Sequence, residues 1–403
     1  MKRLYLYDDG KAREFAPFAL TRPVSELRAG AELIRLRWER AAGTKAFGFI
    51  GASHLADFEE FDSPPAVTGD TTIPAGSVIV NSRFVVALDS RIDDTSQAFM
   101  RDGSVCAVRV RKSTDMAALL DGTQDLASLV SSDVMPTDIG GRWLREVWDL
   151  VGGLELQLSE DVPLMGSRLS GAAIENATVI GKHSIYMETG ARIEPFVVLD
   201  ASEGPILIRR GATIASFTRI FGPCYIGENT QVAGDSIRGC SIGDVCKVHG
   251  EISATVMLGH SNKGHTGFVG NSYLGRWVNL GAGTTTSNLK NTYGTVALWT
   301  PGGVRDTGLQ FVGSLVGDHA KLGIGTMLTT GCVVGAGANV FGAGVTPKAV
   351  PPFAWGGGEP WERNDFSRFC EVAARMMDRR HVALTEKAKA QLAEAYRTCG
   401  ESA

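Results

Sequence analysis

The stretch that decides the fold is I-R-R-G-A-T-I-A-S-F-T-R-I-F-G-P-C-Y-I-G-E-N-T-Q-V, residues 208–232. An aliphatic side chain stands at every sixth position here, and the spacing returns in a second run: Ile208, Ile214, Ile220, Ile226 and Val232, then Val316, Leu322, Leu328, Val334 and Val340. A period of six fits neither an α-helix nor an ordinary strand, whose periods are about 3.6 and about 2. It is typical of a hexapeptide β-helix, in which each hexapeptide makes one strand and one corner. We therefore predict a left-handed parallel β-helix.

The composition is that of a globular protein and excludes several functional classes. The chain has 403 residues, of which 21% are charged and 44% hydrophobic, and its formal net charge is −4. This balance argues against general nucleic-acid binding, which needs a basic face. No run of about eighteen apolar residues is present, so we predict no membrane span. The seven cysteines form no C-x-x-C pair, which suits reduced thiols in a cytoplasm and gives no support for a metal site.

The six-residue period divides the chain into four parts. Residues 1–150 lack it and alternate short strands with helical stretches, which predicts a small α/β domain with a mainly parallel sheet. Residues 151–168 are interpreted as a linker and residues 169–346 as the β-helix. Residues 347–403 hold a Pro/Gly/Trp segment followed by apolar residues at helical spacing, which predicts a docked tail and a C-terminal amphipathic helix.

Two stretches break the period, near residues 251–269 and 284–311, and loops that interrupt a solenoid often carry its function. The first contains H-S-N-K-G-H, with Lys263 and His265, and V-N-L-G-A-G-T introduces the second. Histidine is the side chain whose ordinary pKa lets it accept a proton near neutral pH, so His265 is the candidate base. Backbone amides of residues 281–283 are candidate donors to an oxyanion.

Arg238, Lys247 and His249 are the basic residues just upstream. We expect them on successive coils, where equivalent positions stack about 4.8 Å apart, so that two cations share one phosphate. Every candidate also has a structural interpretation. Loop histidines are mostly hydrogen-bonding surface residues, corner asparagines form ladders or turns, and lysines and arginines are mostly solvated. Their convergence on the two interruptions favours a functional role.

The sequence at the interruptions resembles the acetyltransferase domain of the GlmU family, bifunctional enzymes that make UDP-N-acetylglucosamine. K-G-H-T-G-F-V-G and V-N-L-G-A-G-T-T-T-S-N are similar to the family's K-A-G-H-x-x-Y-x-G and V-N-I-G-A-G-T-x-x-x-N-Y segments, and F-V-G-S to its V-G-S segment. The resemblance implies acetyl-CoA as acetyl donor and a homotrimer whose site lies between neighbouring prisms. Phe268 and Leu289 stand where the family has tyrosines, so two hydroxyl groups are missing.

The same resemblance implies roles for individual residues. His265 matches the catalytic base and Asn279 a sugar-contacting asparagine. Substrate contacts are expected from the basic residues and from asparagines, and acetyl-CoA contacts from small residues: Arg238, Lys247, Lys263, Asn279 and Asn288 for the substrate, and Ala282, Ser314 and Ala336 for acetyl-CoA.

The N-terminal part resembles the sugar nucleotidyltransferase domain of the same family. P-F-A-L-T-R-P-V-S-E-L-R is similar to the family's P-L-T-x-x-R-P-K-x-L segment, and V-N-S-R, residues 80–83, to a V-N-x-R segment of a shortened branch. The resemblance implies a nucleotide-sugar site that uses Mg²⁺. The glycine-rich phosphate loop is reduced to D-D-G, residues 8–10; Val24 replaces a phosphate-binding lysine, and Asn81 a metal-binding aspartate. The cations that can compensate are Arg22, Arg28, Lys11 and Arg13, of which we expect Arg22 or Arg28 to hold phosphate, with Asn81 as a further substrate contact.

Three functions remain open on this basis. The match of His265 favours a GlmU-type enzyme that acetylates the amine of an amino-sugar 1-phosphate and whose N-terminal domain binds or makes the nucleotide sugar. The second is a sugar-1-phosphate nucleotidyltransferase whose β-helix is a trimerising scaffold. The third is a non-catalytic nucleotide-sugar-binding protein, which Phe268 and Leu289 favour.

Overall fold

A computed structural model describes residues 3–69, 72–342 and 344–400 and divides the chain into two compact units. The N-terminal unit takes the residues up to Val147 together with those from Thr385 onward. The solenoid unit is Trp148–Leu384.

The N-terminal unit is built on a six-stranded mixed sheet. Its strands, in spatial order, are Thr137–Asp138, Ala98–Arg101, Ser104–Arg109, Val78–Asn81, Leu4–Tyr7 and Ala46–Ile50. Three of the five strand pairs are parallel, and only Ser104–Arg109 runs against its neighbours. Leu4–Tyr7 and Val78–Asn81 are buried throughout and pair in parallel, so Tyr7 and Asn81 end side by side. The predicted α/β domain is confirmed.

Short elements surround this sheet. The longer helix Ile34–Ala42 buries Ile34, Trp38 and Ala41 and ends at Gly43, whose φ of 64° is the left-handed conformation that closes many helices. The other helices and 3₁₀ turns are Gly10–Arg13, Val24–Glu26, Ser53–Leu55, Ala117–Leu120, Leu126–Leu129 and Glu386–Gly400. Three small antiparallel pairs complete the unit: Arg28–Ala29 with Glu32–Leu33, Thr72–Ile73 with Thr114–Asp115, and Phe84–Val86 with Gly141–Trp143.

The solenoid unit stacks short parallel strands into three long sheets. The six-stranded sheet holds Ala177–Gly181, Val197–Ala201, Thr218–Phe221, Asp235–Arg238, Glu251–Ser253 and Phe268–Gly270. The nine-stranded sheet holds Ile185–Met187, Ile206–Ile208, Cys224–Ile226, Ser241–Ile242, Val256–Met257, Tyr273–Leu274, Ser314–Val316, Cys332–Val334 and Ala349–Val350. The ten-stranded sheet holds Arg192–Ile193, Thr213–Ile214, Gln231–Val232, Lys247–Val248, Asn262–Lys263, Asn279–Leu280, Lys321–Leu322, Asn339–Val340, Ala354–Gly356 and, antiparallel at its end, Glu362–Arg363. Thr285–Thr286, Met327–Leu328 and Val345–Thr346 form a further small sheet.

The six-residue period corresponds to the core of this solenoid. Every aliphatic residue of the two in-phase runs is buried, and Ile208 pairs with Ile226 and Ile214 with Val232, eighteen residues or three hexapeptides apart. Burying such a side chain contributes about 1.5–3 kcal/mol, so each coil adds several favourable contacts. Four cysteine thiols join the same core: Cys224, Cys240, Cys246 and Cys332. The predicted parallel β-helix is confirmed.

The two breaks in the period have different structures. Residues 251–269 stay within the solenoid, where Lys247 pairs with Asn262 and Asn262 with Asn279, fifteen and seventeen residues apart. The prediction of an interrupting loop is therefore wrong there, because a shorter corner shifts the phase without leaving the coil. The second break is a true insertion. Tyr273 pairs with Leu315, forty-two residues on, and the excess contains the hairpin Ala297–Thr300 with Gly303–Asp306.

Helices flank the solenoid strands. Asp149–Gly152 and Leu154–Gly166 occupy most of the expected linker, and the second of them packs on the strands Ile206–Ile208 and Cys224–Ile226. The tail contains two helices where we expected one, namely Phe366–Asp378 in the solenoid unit and Glu386–Gly400 in the N-terminal unit. Phe369 of the first packs its ring 5.1 Å from that of Phe353. Among the described residues, no helix combines the length and the apolar character needed to cross a membrane.

Candidate functional site

His265 lies at a corner of the solenoid, between the strands Asn262–Lys263 and Phe268–Gly270. We call residues 264–267 the His265 corner. His265 is exposed, whereas the backbone around it is tightly held. The Thr266 carbonyl accepts a hydrogen bond of 3.0 Å from the Gly283 amide of the next coil. On the other side, a Cβ atom at Gly250 would stand 2.5 Å from the Gly267 oxygen, so only glycine fits there. The corner thus presents an imidazole on a fixed backbone.

Lys263 points into the solenoid, contrary to the expected substrate contact. It pairs with Val248 in the inner row of the ten-stranded sheet and has no exposed surface. Its Nζ donates to the carbonyl of His265, to that of Thr266 at 2.9 Å and to that of His249 at 3.5 Å. Burial lowers the pKa of Lys263 to about 8. Strand alternation explains the difference, since it turns Asn262 outward and Lys263 inward. Lys263 therefore holds the His265 corner from inside.

An outer row of polar side chains leads to this corner along the ten-stranded sheet. Lys247, Asn262 and Asn279 stand in register on adjacent strands. The Asn262 Nδ2 donates to the Asn279 Oδ1 at 2.8 Å, which makes an amide ladder. Asn262 belongs to this row, although nothing in the sequence distinguished it as a candidate site residue. The structure thus brings Lys247 and Asn279 to the same side of the His265 corner.

Arg238 is not stacked on Lys247, and that prediction is wrong. Arg238 ends a strand of the six-stranded sheet, where its stacking partners are Phe221 and Ser253. Its guanidinium carbon lies 3.6 Å from the centre of the Phe221 ring, and its Nη1 pairs with Glu203 at 3.2 Å. Residues nine apart fall on different faces of a prism with about eighteen residues per coil. One phosphate therefore does not sit between these two cations as a stacked pair.

An acidic groove runs beside the His265 corner on the six-stranded sheet. It has a volume of about 620 Å³ and is lined by Asp235, Ser236, Glu251, Gly267 and Phe268. Ser236, Glu251 and Phe268 stand in register on three adjacent strands. The Asp235 carboxylate lies 3.6 Å from the Nδ1 of His249. Two carboxylates in a groove that Gly267 of the His265 corner also lines suit a cationic amine more than an anion.

The G-A-G turn of residues 281–283 lies directly over the His265 corner, but most of its amides are occupied. The Gly281 N–H donates to the Leu322 carbonyl at 2.9 Å, and the Gly283 N–H to Thr266. Two of the three expected oxyanion donors are therefore used by the coil itself. The Ala282 N–H has no acceptor among the described residues, which leaves it as the candidate donor.

The remaining acetyl-CoA and substrate candidates lie at other corners. Asn288 donates from Nδ2 to the Asn271 Oδ1 at 2.7 Å. Ser314 starts a strand of the nine-stranded sheet nearby; it is fully buried, and its Oγ has no partner among the described residues. Ala336 follows another strand of that sheet and is also fully buried, so no atom of it is open to a ligand in one chain. Within one chain, these residues therefore lie at corners other than that of His265.

The N-terminal unit has a cleft of its own at the ends of Leu4–Tyr7 and Val78–Asn81. A cavity of about 400 Å³ is lined by residues that include Asp9, Lys11, Asn81, Arg83 and Trp143. Asp9 pairs with Arg83 at 2.6 Å and accepts from the Asn81 Nδ2 at 2.8 Å. The sequence analysis found Asn81 but missed this pair, although the D-D-G and V-N-S-R segments contain both partners.

Arg22 and Arg28 do not line this cavity, which corrects the expectation that they hold phosphate. Arg22 is 2% exposed and binds Glu60 through two hydrogen bonds of 2.7 and 3.3 Å. Arg28 is 4% exposed and donates to the Ala31 carbonyl at 2.6 Å. Guanidinium groups buried with such partners stabilise the fold, and only Lys11 and Arg83 bring positive charge to the cleft.

Asp9 and Asn81 do not fit the expected Mg²⁺. Oxygen ligands, chiefly carboxylates, are what Mg²⁺ requires. Asn81 is neutral, and both Asp9 oxygens already accept hydrogen bonds from Arg83 and other donors. Across the described ranges, no cluster of three histidine, cysteine, aspartate or glutamate side chains is placed to bind a metal ion.

Comparison with known proteins finds one matching family and several similar proteins. Residues 4–168 match the family described as sugar nucleotidyl transferase. The chain is also similar to bifunctional GlmU proteins: 29% identical over 204 residues to that of Desulfitobacterium hafniense (strain DSM 10664 / DCB-2), covering 44% of this chain and 40% of the relative. The GlmU protein of Synechococcus sp. (strain CC9311) is 27% identical over 240 residues, covering 57% of this chain and 47% of the relative. The chain therefore spans less than half the length of these relatives.

A solved structure, that of the polysialic acid O-acetyltransferase OatWY, matches 46% of this chain and 86% of its own. The sequence identity is 16% and the TM-score 0.23, values too low to bear on function.

Proposed function

We propose that the solenoid transfers an acetyl group from acetyl-CoA to the amine of an amino-sugar 1-phosphate, since the chain is similar to bifunctional GlmU proteins and its residues 4–168 match the sugar nucleotidyl transferase family. The observation that carries the proposal is the His265 corner. An exposed imidazole on a backbone fixed by Lys263 and Gly283 faces solvent beside an acidic groove. Such an arrangement is suited to accepting a proton from an amine.

The groove and the imidazole act at different steps, since the groove binds the amine and the imidazole accepts its proton. The substrate amine arrives as an ammonium group, which the carboxylates of Asp235 and Glu251 attract. After it loses one proton to solvent, the neutral nitrogen attacks the thioester carbon. His265 takes the second proton as the N–C bond forms and passes it to sulfur as the C–S bond breaks. The products are the N-acetyl sugar phosphate and the free thiol of coenzyme A.

The oxyanion of the tetrahedral intermediate needs a donor close to this base. The Ala282 N–H belongs to the turn stacked on the His265 corner and has no acceptor among the described residues. An oxyanion donor of this kind is often worth about 3 kcal/mol in the transition state. We assign this role to Ala282, in agreement with its expected position beside acetyl-CoA.

The sugar and its phosphate are assigned to the outer row. Lys247 and Asn279 lie two strands apart on the ten-stranded sheet, with Asn262 on the strand between them. Arg238 lies on the six-stranded sheet two strands from Phe268–Gly270, about 10 Å away at normal strand spacing. Lys247 and Arg238 therefore contact different parts of the ligand.

The site is complete only if a neighbouring chain contributes. Asn288 lies at a corner separate from His265, so a ligand that contacts both residues must bridge two surfaces. We propose a homotrimer in which the Asn288 corner of one chain faces the His265 corner of the next. Asn288 then contacts the substrate beside the base of the neighbouring chain, whereas the fully buried Ser314 supports that corner from inside.

The direct test is an activity assay with the full-length chain. It is incubated with acetyl-CoA and a panel of amino-sugar 1-phosphates, and release of the coenzyme A thiol is followed. We expect thiol release that depends on at least one sugar of the panel. No release above the rate without sugar, for any member, would refute acetyl transfer.

Nucleotidyl transfer by the N-terminal unit is the second candidate function, because residues 4–168 match the sugar nucleotidyl transferase family. Phosphoryl transfer relies on cations that stabilise charge spread over the phosphate. The test is pyrophosphate release from the four common nucleoside triphosphates with hexose and hexosamine 1-phosphates. Release with any pair would support this function, and no release would leave the unit as a binding domain.

A further inference from the structure

Asp9 in the N-terminal cleft is saturated with hydrogen-bond donors. Its Oδ1 accepts from the Arg83 Nε at 2.8 Å and from the Ala12 amide at 2.9 Å. Its Oδ2 accepts from the Arg83 Nη2 at 2.6 Å and from the Asn81 Nδ2 at 2.8 Å. An ionised carboxylate offers about four lone-pair sites, so all of them are used. A metal ion could bind Asp9 only after displacing the guanidinium.

The charge balance agrees with a permanent ion pair. Burial raises the pKa of Asp9, but the hydrogen bonds and charge of Arg83, with the hydrogen bond from Asn81, outweigh it and hold that pKa below its usual value. The guanidinium group of an arginine is always charged in proteins. The pair is thus charged on both sides and needs no further cation.

Arg83 keeps donors for a ligand. Its Nη1 donates to the Leu144 carbonyl at 3.0 Å, and its guanidinium carbon lies 5.3 Å from the centre of the Trp143 ring. Of five N–H groups, three bind protein atoms, and about two remain. The residue lines the cavity together with Lys11, whose Nζ lies 3.0 Å from Glu146. Trp143 lines the same cavity and offers a flat face to a ring.

We propose that Arg83 takes the place of a divalent cation in this cleft, so that the N-terminal unit binds the phosphate of a nucleotide or a sugar phosphate without metal. A guanidinium is planar and matches two phosphate oxygens at once, which makes it the natural replacement for a cation at such a site. Asp9 then orients Arg83 and does not act as a metal ligand. The inference concerns binding in the N-terminal unit and does not depend on acetyl transfer.

The experiment is isothermal titration calorimetry on the full-length chain, in excess EDTA and in excess MgCl₂. The probes are UDP, glucosamine 1-phosphate and inorganic phosphate, which distinguish nucleotide, sugar phosphate and phosphate alone as the ligand. UDP carries no amine and so reports on the cleft, and the glucosamine 1-phosphate arm is repeated in Lys247→Ala to suppress binding at the solenoid. We expect at least one probe to bind with Kd values that agree within about twofold with and without Mg²⁺, a difference below 0.5 kcal/mol.

The variant Arg83→Gln supplies the second readout. Losing charged hydrogen bonds to phosphate should weaken binding in EDTA by about 10–100-fold. Because the substitution frees lone pairs of Asp9, added Mg²⁺ should restore part of the affinity to the variant although it does nothing for the wild type. Arg83→Lys, which keeps the charge and loses the fork, should fall between them.

Either of two outcomes overturns the proposal: wild-type binding that disappears in EDTA, or no binding of any probe in either buffer. If circular dichroism shows that Arg83→Gln does not fold, the comparison of EDTA with Mg²⁺ on the wild type decides alone.

Discussion

Lys263 and His265 place their functional groups on opposite sides of one corner of the solenoid. The ammonium group of Lys263 is completely buried and donates to the carbonyl of His265, while His265 itself is exposed. A buried lysine is costly unless its donors are used, and here they are used by backbone carbonyls of the corner. The backbone that carries the candidate base is therefore held by a charge from inside the core.

The substitution His265→Ala tests the base directly. Removing a general base usually lowers the rate about 10²–10⁴-fold, so kcat for acetyl transfer should fall by that range. Binding of acetyl-CoA and the oligomeric state should be unchanged, because the side chain is exposed and the backbone contacts remain. Steady-state kinetics measure the first and calorimetry the second. A variant that keeps more than about half of the wild-type kcat would show that the imidazole is only a surface residue.

Lys263→Met tests whether the buried ammonium positions His265. Small displacements of reacting groups lower rates by up to about 10²-fold, so kcat should fall while KM for the sugar phosphate changes little. Lys321→Met is a control for the loss of a lysine that bonds corner carbonyls elsewhere in the solenoid. Lys321 is half-buried and stands in register with Asn279 on the ten-stranded sheet, and its Nζ donates to the carbonyls of Trp277 and His319, at 2.8 Å each. Equal losses of kcat in both variants would mean that the effect is general loosening of the solenoid.

The pH dependence of stability follows from the same lysine. Burial lowers the pKa of Lys263 to about 8 from 10.5, so between these values the folded chain binds fewer protons than the unfolded chain. Stability contributed by this group must therefore rise as pH increases from about 8 toward 10.5, by at most about 3 kcal/mol. Urea unfolding of wild type and Lys263→Met across this range measures the difference, in which all other groups cancel. A difference that stays constant or falls with pH would contradict the prediction.

Arg238 and Lys247 should act independently on substrate binding. They lie on different sheets, so they do not share one phosphate oxygen pair. We expect Lys247→Ala and Arg238→Ala each to raise KM for the amino-sugar phosphate, and the double variant to show the sum of the two free-energy changes within about 0.5 kcal/mol. Coupling well above that value would mean that both cations meet on one phosphate.

The shared site predicts a homotrimer that complements in trans. One chain has a mass of 42.9 kDa, and light scattering at micromolar concentration should give three times that value. Mixing His265→Ala with Asn288→Ala, each inactive alone, should restore part of the activity, since some sites in a mixed trimer receive both native residues. A monomer, or an active wild type whose variants do not complement, would remove the shared-site arrangement.

The sequence predicted the solenoid well because its six-residue period reflects the rows of inward-facing aliphatic side chains in the core. Each aliphatic of the two runs occupies one inner position, and no other regular structure repeats every six residues. It predicted the sides of the prism less well, because coil lengths vary by one to three residues, so that spacing alone does not tell which face a residue occupies. The inward side chain of Lys263 follows from strand alternation, and the separation of Arg238 from Lys247 follows from their spacing of nine residues, which is half a coil.

The N-terminal cleft shows a different limit. Arg22 and Arg28 belong to the segment that resembles the family's, but Arg22 pairs with Glu60, thirty-eight positions on, and Arg28 donates to the carbonyl of Ala31, three positions on. The pair of Asp9 and Arg83 joins residues seventy-four positions apart. Their meeting depends on the pairing of Leu4–Tyr7 with Val78–Asn81, which becomes visible only when the sheet is known.

The coil that runs from Tyr273 to Leu315 carries an extra segment, yet Tyr273 and Leu315 still pair in register as their counterparts do elsewhere. The entropy of closing a loop grows only slowly with its length, so a coil can accept new sequence here at little loss of stability. This point of the solenoid therefore accepts an insertion: the hairpin Ala297–Thr300 with Gly303–Asp306 leaves the coil here, while the stacked coils on both sides keep their register.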